Sequence, residues 1–190
     1  EEGVFLNNVV KGKVMIVSSD FIRVSSRAEL ENVILKAPVV VFENGFEGSV
    51  QVFARDSIVV SEDCYLKYPS ALVLKSPSKP GYSPKIVLES GSKLAGNIIL
   101  QQASFNLRNN GMVTLNNEVV VNGTVYSEGY TQLRSCMVQG EVYTKKLFLK
   151  TRSSIYENTL LNVVIDPSKK DKYMIDLGIQ NSERSWIYIK

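Results

Sequence analysis

Histidine does not occur anywhere in the 190 residues. Its absence excludes Ser-His-Asp and Cys-His triads, H-E-x-x-H zinc helices and His-bearing facial triads. It also removes the usual general base near neutral pH, leaving carboxylates, Lys and Tyr for any chemistry. Cysteine is almost as scarce. Cys64 and Cys136 form no C-x-x-C and are too few for a disulfide scaffold. No apolar run approaches the roughly 20 residues that span a bilayer. Charge of either sign is modest: 22 basic against 19 acidic residues leave +3 and a pI of about 8.8. That balance does not imply nucleic acid or another polyanion as partner. Gly91-Ser92-Lys93 lacks the full phosphate-loop spacing. No cofactor, metal or catalytic residue is therefore assigned. The chain opens on Glu1-Glu2 without an initiator Met or a signal peptide. This start reads as processed or truncated, so any membrane attachment is expected from a segment missing upstream.

What the chain does contain is a recurring phrase. Gly96-Asn97-Ile98-Ile99, Gly123-Thr124-Val125-Tyr126 and Gly140-Glu141-Val142-Tyr143 share a Gly-x-Val/Ile pattern, with Gly48-Ser49-Val50-Gln51 as a weaker echo. Each copy opens a short β-rich segment that ends in turn residues such as Asn116-Asn117 or Ser153-Ser154. Imperfect repetition on this scale predicts a solenoid, in which each coil has its apolar face covered by its neighbours. Between residues 86 and 166, Ile98, Leu100, Phe105, Leu107, Val113, Leu115, Val119 and Val121 keep the two-residue strand period. No sustained 3.6-residue period is visible.

The expected fold is a single all-β domain: a single-stranded right-handed parallel β-helix with irregular N-terminal coils and a C-terminal capping element. Residues 1–36 read as N-terminal strands or cap, with apolar stretches at Val9-Val10, Val14–Val17 and Val33–Leu35. Residues 37–166 read as coils and residues 167–190 as the C-terminal cap, ending on Trp186-Ile187-Tyr188-Ile189. Residues 76–84 hold three prolines and a glycine, which forbid ladder pairing and predict a projecting loop. A β-sandwich competes, but sandwich strands have no reason to repeat one phrase. On the solenoid reading the cysteines fall on coils several steps of about 4.8 Å apart. A bridge needs Cα atoms within about 7 Å, so free, mostly buried thiols are expected.

The Gly-Thr-Val-Tyr and Gly-Glu-Val-Tyr phrases, with Lys93-Leu94-Ala95-Gly96-Asn97-Ile98, resemble the polymer-forming, bactofilin-like bacterial β-solenoids over about residues 86–166. The resemblance implies a structural protein that assembles end to end, without an enzymatic site. The chain departs from that pattern in its first 85 residues, its Pro-rich loop and its charged C-terminal element.

Tyr126 and Tyr143 occupy equivalent places in the repeat. With Val125 and Val142 pointing inward, both tyrosines point outward as a candidate surface binding ladder for a glycan or protein. The plainer role is lateral sheet support, where aromatic neighbours contribute about 0.2–1 kcal/mol per pair. Tyr65, Tyr68, Tyr82 and Tyr130 are candidates to extend that surface. Asp56, Glu62 and Asp63 form the one close acidic group of the solenoid body, and a polysaccharide-processing β-helix would need such carboxylates to converge. Lys145, Lys146, Lys150 and Arg152, with Lys169, Lys170 and Lys172, form the densest basic stretch, flanked by Glu141 and Glu157. Asn122-Gly123-Thr124 matches a glycosylation sequon but is explained by the repeat itself.

These readings converge on a non-enzymatic structural or adhesive module of a bacterial cell envelope, extracytoplasmic, binding a protein or polysaccharide partner. The alternatives are a β-helix polysaccharide-processing enzyme and a self-associating filament subunit.

Overall fold

The computed structural model describes residues 3–76, 83–102, 110–151, 153–173 and 187–189. Most of the predicted Pro-rich loop lies outside the described residues, as do Tyr82, Phe105, Leu107, Arg152 and Trp186. The described chain is all-β, with one short 3-10 turn at Pro167–Lys169. Its strands are Val4–Leu6 (β1), Val9–Val17 (β2), Phe21–Val24 (β3), Glu29–Phe42 (β4), Glu47–Val60 (β5), Tyr65–Ser76 (β6), Lys85–Leu88 (β7) and Lys93–Gln102 (β8). They continue as Met112–Leu115 (β9), Val120–Asn122 (β10), Val125–Leu133 (β11), Met137–Gln139 (β12), Val142–Lys150 (β13), Ile155–Glu157 (β14), Val164–Ile165 (β15) and Ile187–Ile189 (β16).

Pairing is parallel throughout, except where β14 and β16 meet β13 antiparallel. A sandwich of antiparallel sheets is therefore not the arrangement. Registers sort the strands into three columns that the chain visits in a fixed order. Along the first column Val4, Ile22, Val40, Ile58, Ile86, Val113, Thr131 and Leu147 align. Along the second, Val10, Leu30, Gly48, Leu66, Leu94, Val121, Val138 and Ile165 align. Along the third, Ile16, Leu35, Val52, Leu72, Ile98, Val125 and Val142 align.

These aligned positions are the core. Ile22, Val40, Ile58, Ile86, Leu72, Ile98, Val125 and Val142 are all fully buried. Burying each such side chain contributes about 1.5–3 kcal/mol. Val4, Val10 and Ile16, in the first pass, are only partly buried, since among the described residues no further pass covers them.

The phrase copies at Gly96, Gly123 and Gly140 stack at the corner between the second and third columns. A Cβ on Gly123 would run into the carbonyl of Gly96, and one on Gly140 into that of Gly123. Gly123 also adopts φ +147°, which L side chains rarely adopt. The echo at Gly48 is a different position: it lies within the second column, in register with Leu66 and Leu94. In the earlier passes the same corner is turned by other chemistry. Asn32 takes a left-handed φ of 56°. Its amide donates to Ser49 Oγ at 2.9 Å, and the Val50 amide donates to Ser70 Oγ at 3.2 Å.

The first-to-second corner is turned by Gly45, Asp63, Gly91, Glu118 and Ser135, all with positive φ. Amide-to-carbonyl bonds link each to the next pass, from Gly45 to Glu62, Asp63 to Ser90, Gly91 to Asn117 and Glu118 to Ser135. The residue after each turn points inward, which places Phe46, Cys64, Ser92, Val119 and Cys136 in one stack. Both thiols are thus free and buried, with the Ser92 and Val119 passes between them. Burial raises the Cys64 thiol and pushes Cys136 up to about 11.

Two expectations follow from these corners. Gly123→Ala is expected to destabilise the fold by about 2–4 kcal/mol, through backbone strain plus overlap with Gly96. At Gly12, also at positive φ but with open space around it, Gly→Ala should cost only about 1–2 kcal/mol, as denaturant melts of both variants would show. Separately, the unfolded Cys136 thiol ionises near pH 9 while the folded one holds its proton to about 11. Stability should therefore fall between those pH values by about 1.4 kcal/mol per unit, and Cys136→Ala should flatten that slope in melts run from pH 8 to 11.

Candidate functional site

The outward positions of the third column form one continuous row. Val17, Lys36, Phe53, Val73, Ile99, Tyr126 and Tyr143 are in register across successive strands. They point outward because their neighbours Ile16, Leu35, Val52, Leu72, Ile98, Val125 and Val142 point inward, the alternation of a strand. Tyr126 and Tyr143, picked out in the sequence by their repeat, are thus adjacent strand partners, and both are half-buried. The row continues in backbone register to Tyr188 of β16. Sequence reasoning missed Phe53, Val73 and Ile99. Ile99 could have been found, since it stands three residues after Gly96 as Tyr126 does after Gly123.

The aromatic end is held by a polar corner. Tyr126 donates its hydroxyl to Glu128 Oε1 at 3.1 Å, and Glu128 Oε2 accepts the Gln102 amide at 2.8 Å. Gln102 in turn donates to Asn110 Oδ1 at 3.1 Å and accepts the Gly111 amide at 2.8 Å. Beneath it, in the core, Thr131 donates to Thr144 at 2.9 Å, with both residues and Ser127 fully buried. These hydroxyls are satisfied inside the core, where an unpaired one would cost about 1–3 kcal/mol.

Toward the other end the same row lines an open groove of about 790 Å³. Val17, Lys36, Phe53 and Val73 of the row line it together with Arg55 and Lys75. A second trough of about 690 Å³ lies on the outside of the second column. Its charges compensate one another: Lys11 pairs with Glu29 at 3.4 Å and Lys67 with Glu47 at 2.8 Å. The Lys67 bond holds the Glu47 carboxyl below its ordinary range.

The remaining sequence candidates disperse. Tyr65 lies on the second column with Lys67 Nζ 5.7 Å from its ring centroid, and exposed Tyr68 stands at the next corner. Tyr130 faces out of the first column, its ring 5.4 Å from that of Phe148. None of the three joins the row of Tyr126 and Tyr143. Among the carboxylates, Asp56 sits at the third-to-first corner, paired with Arg55 at 2.8 Å. Glu62 and Asp63 sit in the exposed turn of the next corner, so the three belong to two separate corners. Among the described residues no group of three or more acidic or cysteine side chains is arranged to hold a metal ion.

The basic stretch is broken up by ion pairs. Lys146 meets Glu157 at 3.0 Å, Lys169 meets Asp166 at 3.6 Å, and Lys170 meets Glu141 and Thr124 Oγ1, each at 3.4 Å. The Glu157 bond raises the Lys146 ammonium above its usual range. Asn122 of the sequon accepts the Asp171 amide at 3.1 Å, which ties the chain after β15 across the corner glycines. No helix among the described residues is long and apolar enough to cross a membrane. Compared with protein-family models, curated proteins and solved structures, the chain matches none of them.

Removing the Glu128 carboxylate takes away the acceptor of the Gln102 amide and one hydrogen bond of the Tyr126 hydroxyl. Glu128→Ala is expected to destabilise the protein by about 1–3 kcal/mol, against less than about 1 kcal/mol for Tyr126→Phe, as measured by denaturant melts of both variants.

Proposed function

We propose that the chain is a right-handed parallel β-solenoid serving as a non-enzymatic structural or adhesive scaffold of a bacterial cell envelope, with its third column turned to a polysaccharide or protein. One observation carries the reading: the in-register outward row that includes Tyr126 and Tyr143 as adjacent partners. Such a row repeats every strand spacing, about 4.8 Å, on a support too regular to adapt its shape. Aromatic faces at that interval suit sugar rings or the apolar side of an extended partner, and they cost little entropy on binding because tyrosine has few rotors. Right-handed winding is supported by the chirality of parallel crossovers. The envelope setting rests on association with the solenoid scaffold alone.

The test is affinity electrophoresis through soluble bacterial envelope polysaccharides, with pull-down on insoluble peptidoglycan. The wild type is expected to be retarded by at least one of them. The Tyr126→Ala/Tyr143→Ala double variant should lose about tenfold in affinity while keeping its β-rich circular dichroism. Equal behaviour of the two proteins on every matrix would remove the row as the binding face.

A second reading, self-association, is favoured by the first pass. Among the described residues β1 pairs only with β3, and β2 only with β4. Phe5, Val9 and Met15 on that pass are 66, 62 and 57% exposed. Unpaired strand edges with apolar side chains are natural pairing sites. If this edge joins copies, light scattering should give a mass well above 21.2 kDa, and Val9→Lys/Met15→Lys should return it to that of one chain.

A further inference from the structure

The groove of about 790 Å³ at the N-terminal half of the outward row has a chemistry distinct from the aromatic end. Its apolar lining includes Val17, Phe53 and Val73, with Val17 58% and Phe53 42% exposed. Ala37, Ala54 and Pro38 complete its apolar lining. Lys36, Arg55 and Lys75 also line it, all exposed, with Lys36 standing between Val17 and Phe53 in the row. Arg55 is held by Asp56 at 2.8 Å. Lys36 and Lys75 have no carboxylate partner among the described residues. They lie on β4 and β6, the two strands that flank the Phe53 strand. Two uncompensated ammonium groups thus flank an exposed aromatic ring.

The backbone decides what kind of anion suits this place. Lys36, Phe53 and Val73 belong to strands paired on both sides, so their amides and carbonyls are already engaged in the ladders. A peptide laid across them would bury its own amide and carbonyl groups on apolar carbon without a ladder partner, at a cost. An alkyl chain carries no such groups. Its burial on Phe53 and Val73 is favourable in proportion to area. An anionic head group then meets the ammonium groups of Lys36 and Lys75.

We propose that this groove binds a long-chain carboxylate, with the acyl chain over Phe53 and Val73 and the carboxylate at Lys36 and Lys75. The site is separate from Tyr126 and Tyr143, so the two readings fail independently.

The experiment titrates the full chain with a dansyl-labelled undecanoic acid and follows the blue shift of its emission. Saturable binding that dodecanoate displaces is expected. Phe53→Ser should weaken it by roughly tenfold, the effect of withdrawing a large apolar side chain. Lys36→Ala/Lys75→Ala should weaken dodecanoate by a similar roughly tenfold factor but leave dodecanol unchanged, which isolates the role of charge. Tyr126→Ala/Tyr143→Ala should leave both ligands unaffected. Non-saturable binding, or binding indifferent to Phe53 and the two lysines, would overturn the proposal. Displacement of the probe by an acidic apolar octapeptide but not by dodecanoate would overturn it in favour of a peptide site.

Discussion

The close approach of backbones at the corner between the second and third columns is the constraint on which the rest of this structure depends. There the chain changes direction within a residue or two, while the strands on either side stay in parallel register with the passes above and below. No Cβ fits at Gly123 or Gly140, because the carbonyl of the preceding glycine occupies its place. Once the corner is this tight, the register of both columns is fixed. Ile98, Val125 and Val142 then point inward together, and Ile99, Tyr126 and Tyr143 point outward together. Core and candidate binding row are thus two consequences of one backbone contact.

This also explains how much of the fold was legible in the sequence. The repeat stood out only where glycine turns the corner, at Gly96, Gly123 and Gly140. The earlier passes obey the same register but reach it through Asn32, Ser49 and Ser70, whose left-handed φ and hydroxyl acceptors replace glycine without resembling it. Pass length hides the pattern further. Val125 and Val142 are 17 positions apart in register, as are Val33 and Val50, whereas Ile98 and Val125 are 27 apart. The added residues fall between β8 and β9, after the third column, and leave the ladder intact. Strands β1 and β3 escaped notice because three or four residues cannot display a period.

The candidate site was legible in the same measure. Tyr126 and Tyr143 could be paired because both follow a glycine by three positions. Phe53 and Val73 could not, since their passes lack that marker. The carboxylates show the converse. Asp56, Glu62 and Asp63 are close along the chain yet turn different corners, because seven residues are enough to cross a whole column. The basic residues near the C-terminal end look like a patch in one dimension. In three dimensions Lys146, Lys169 and Lys170 face Glu157, Asp166 and Glu141.

The central claim is that one outward row runs the length of the third column in strict strand register. The most direct measurement is pulsed electron resonance between nitroxides, one fixed at position 143 and the other moved through positions 53, 36 and 17. The intervening strands predict mean backbone separations of about 19, 24 and 29 Å, rising by one strand spacing each time. A linear rise of that size is the expected result. Separations that do not increase in that order, or that jump by a sheet-to-sheet distance of about 10 Å, would contradict the account.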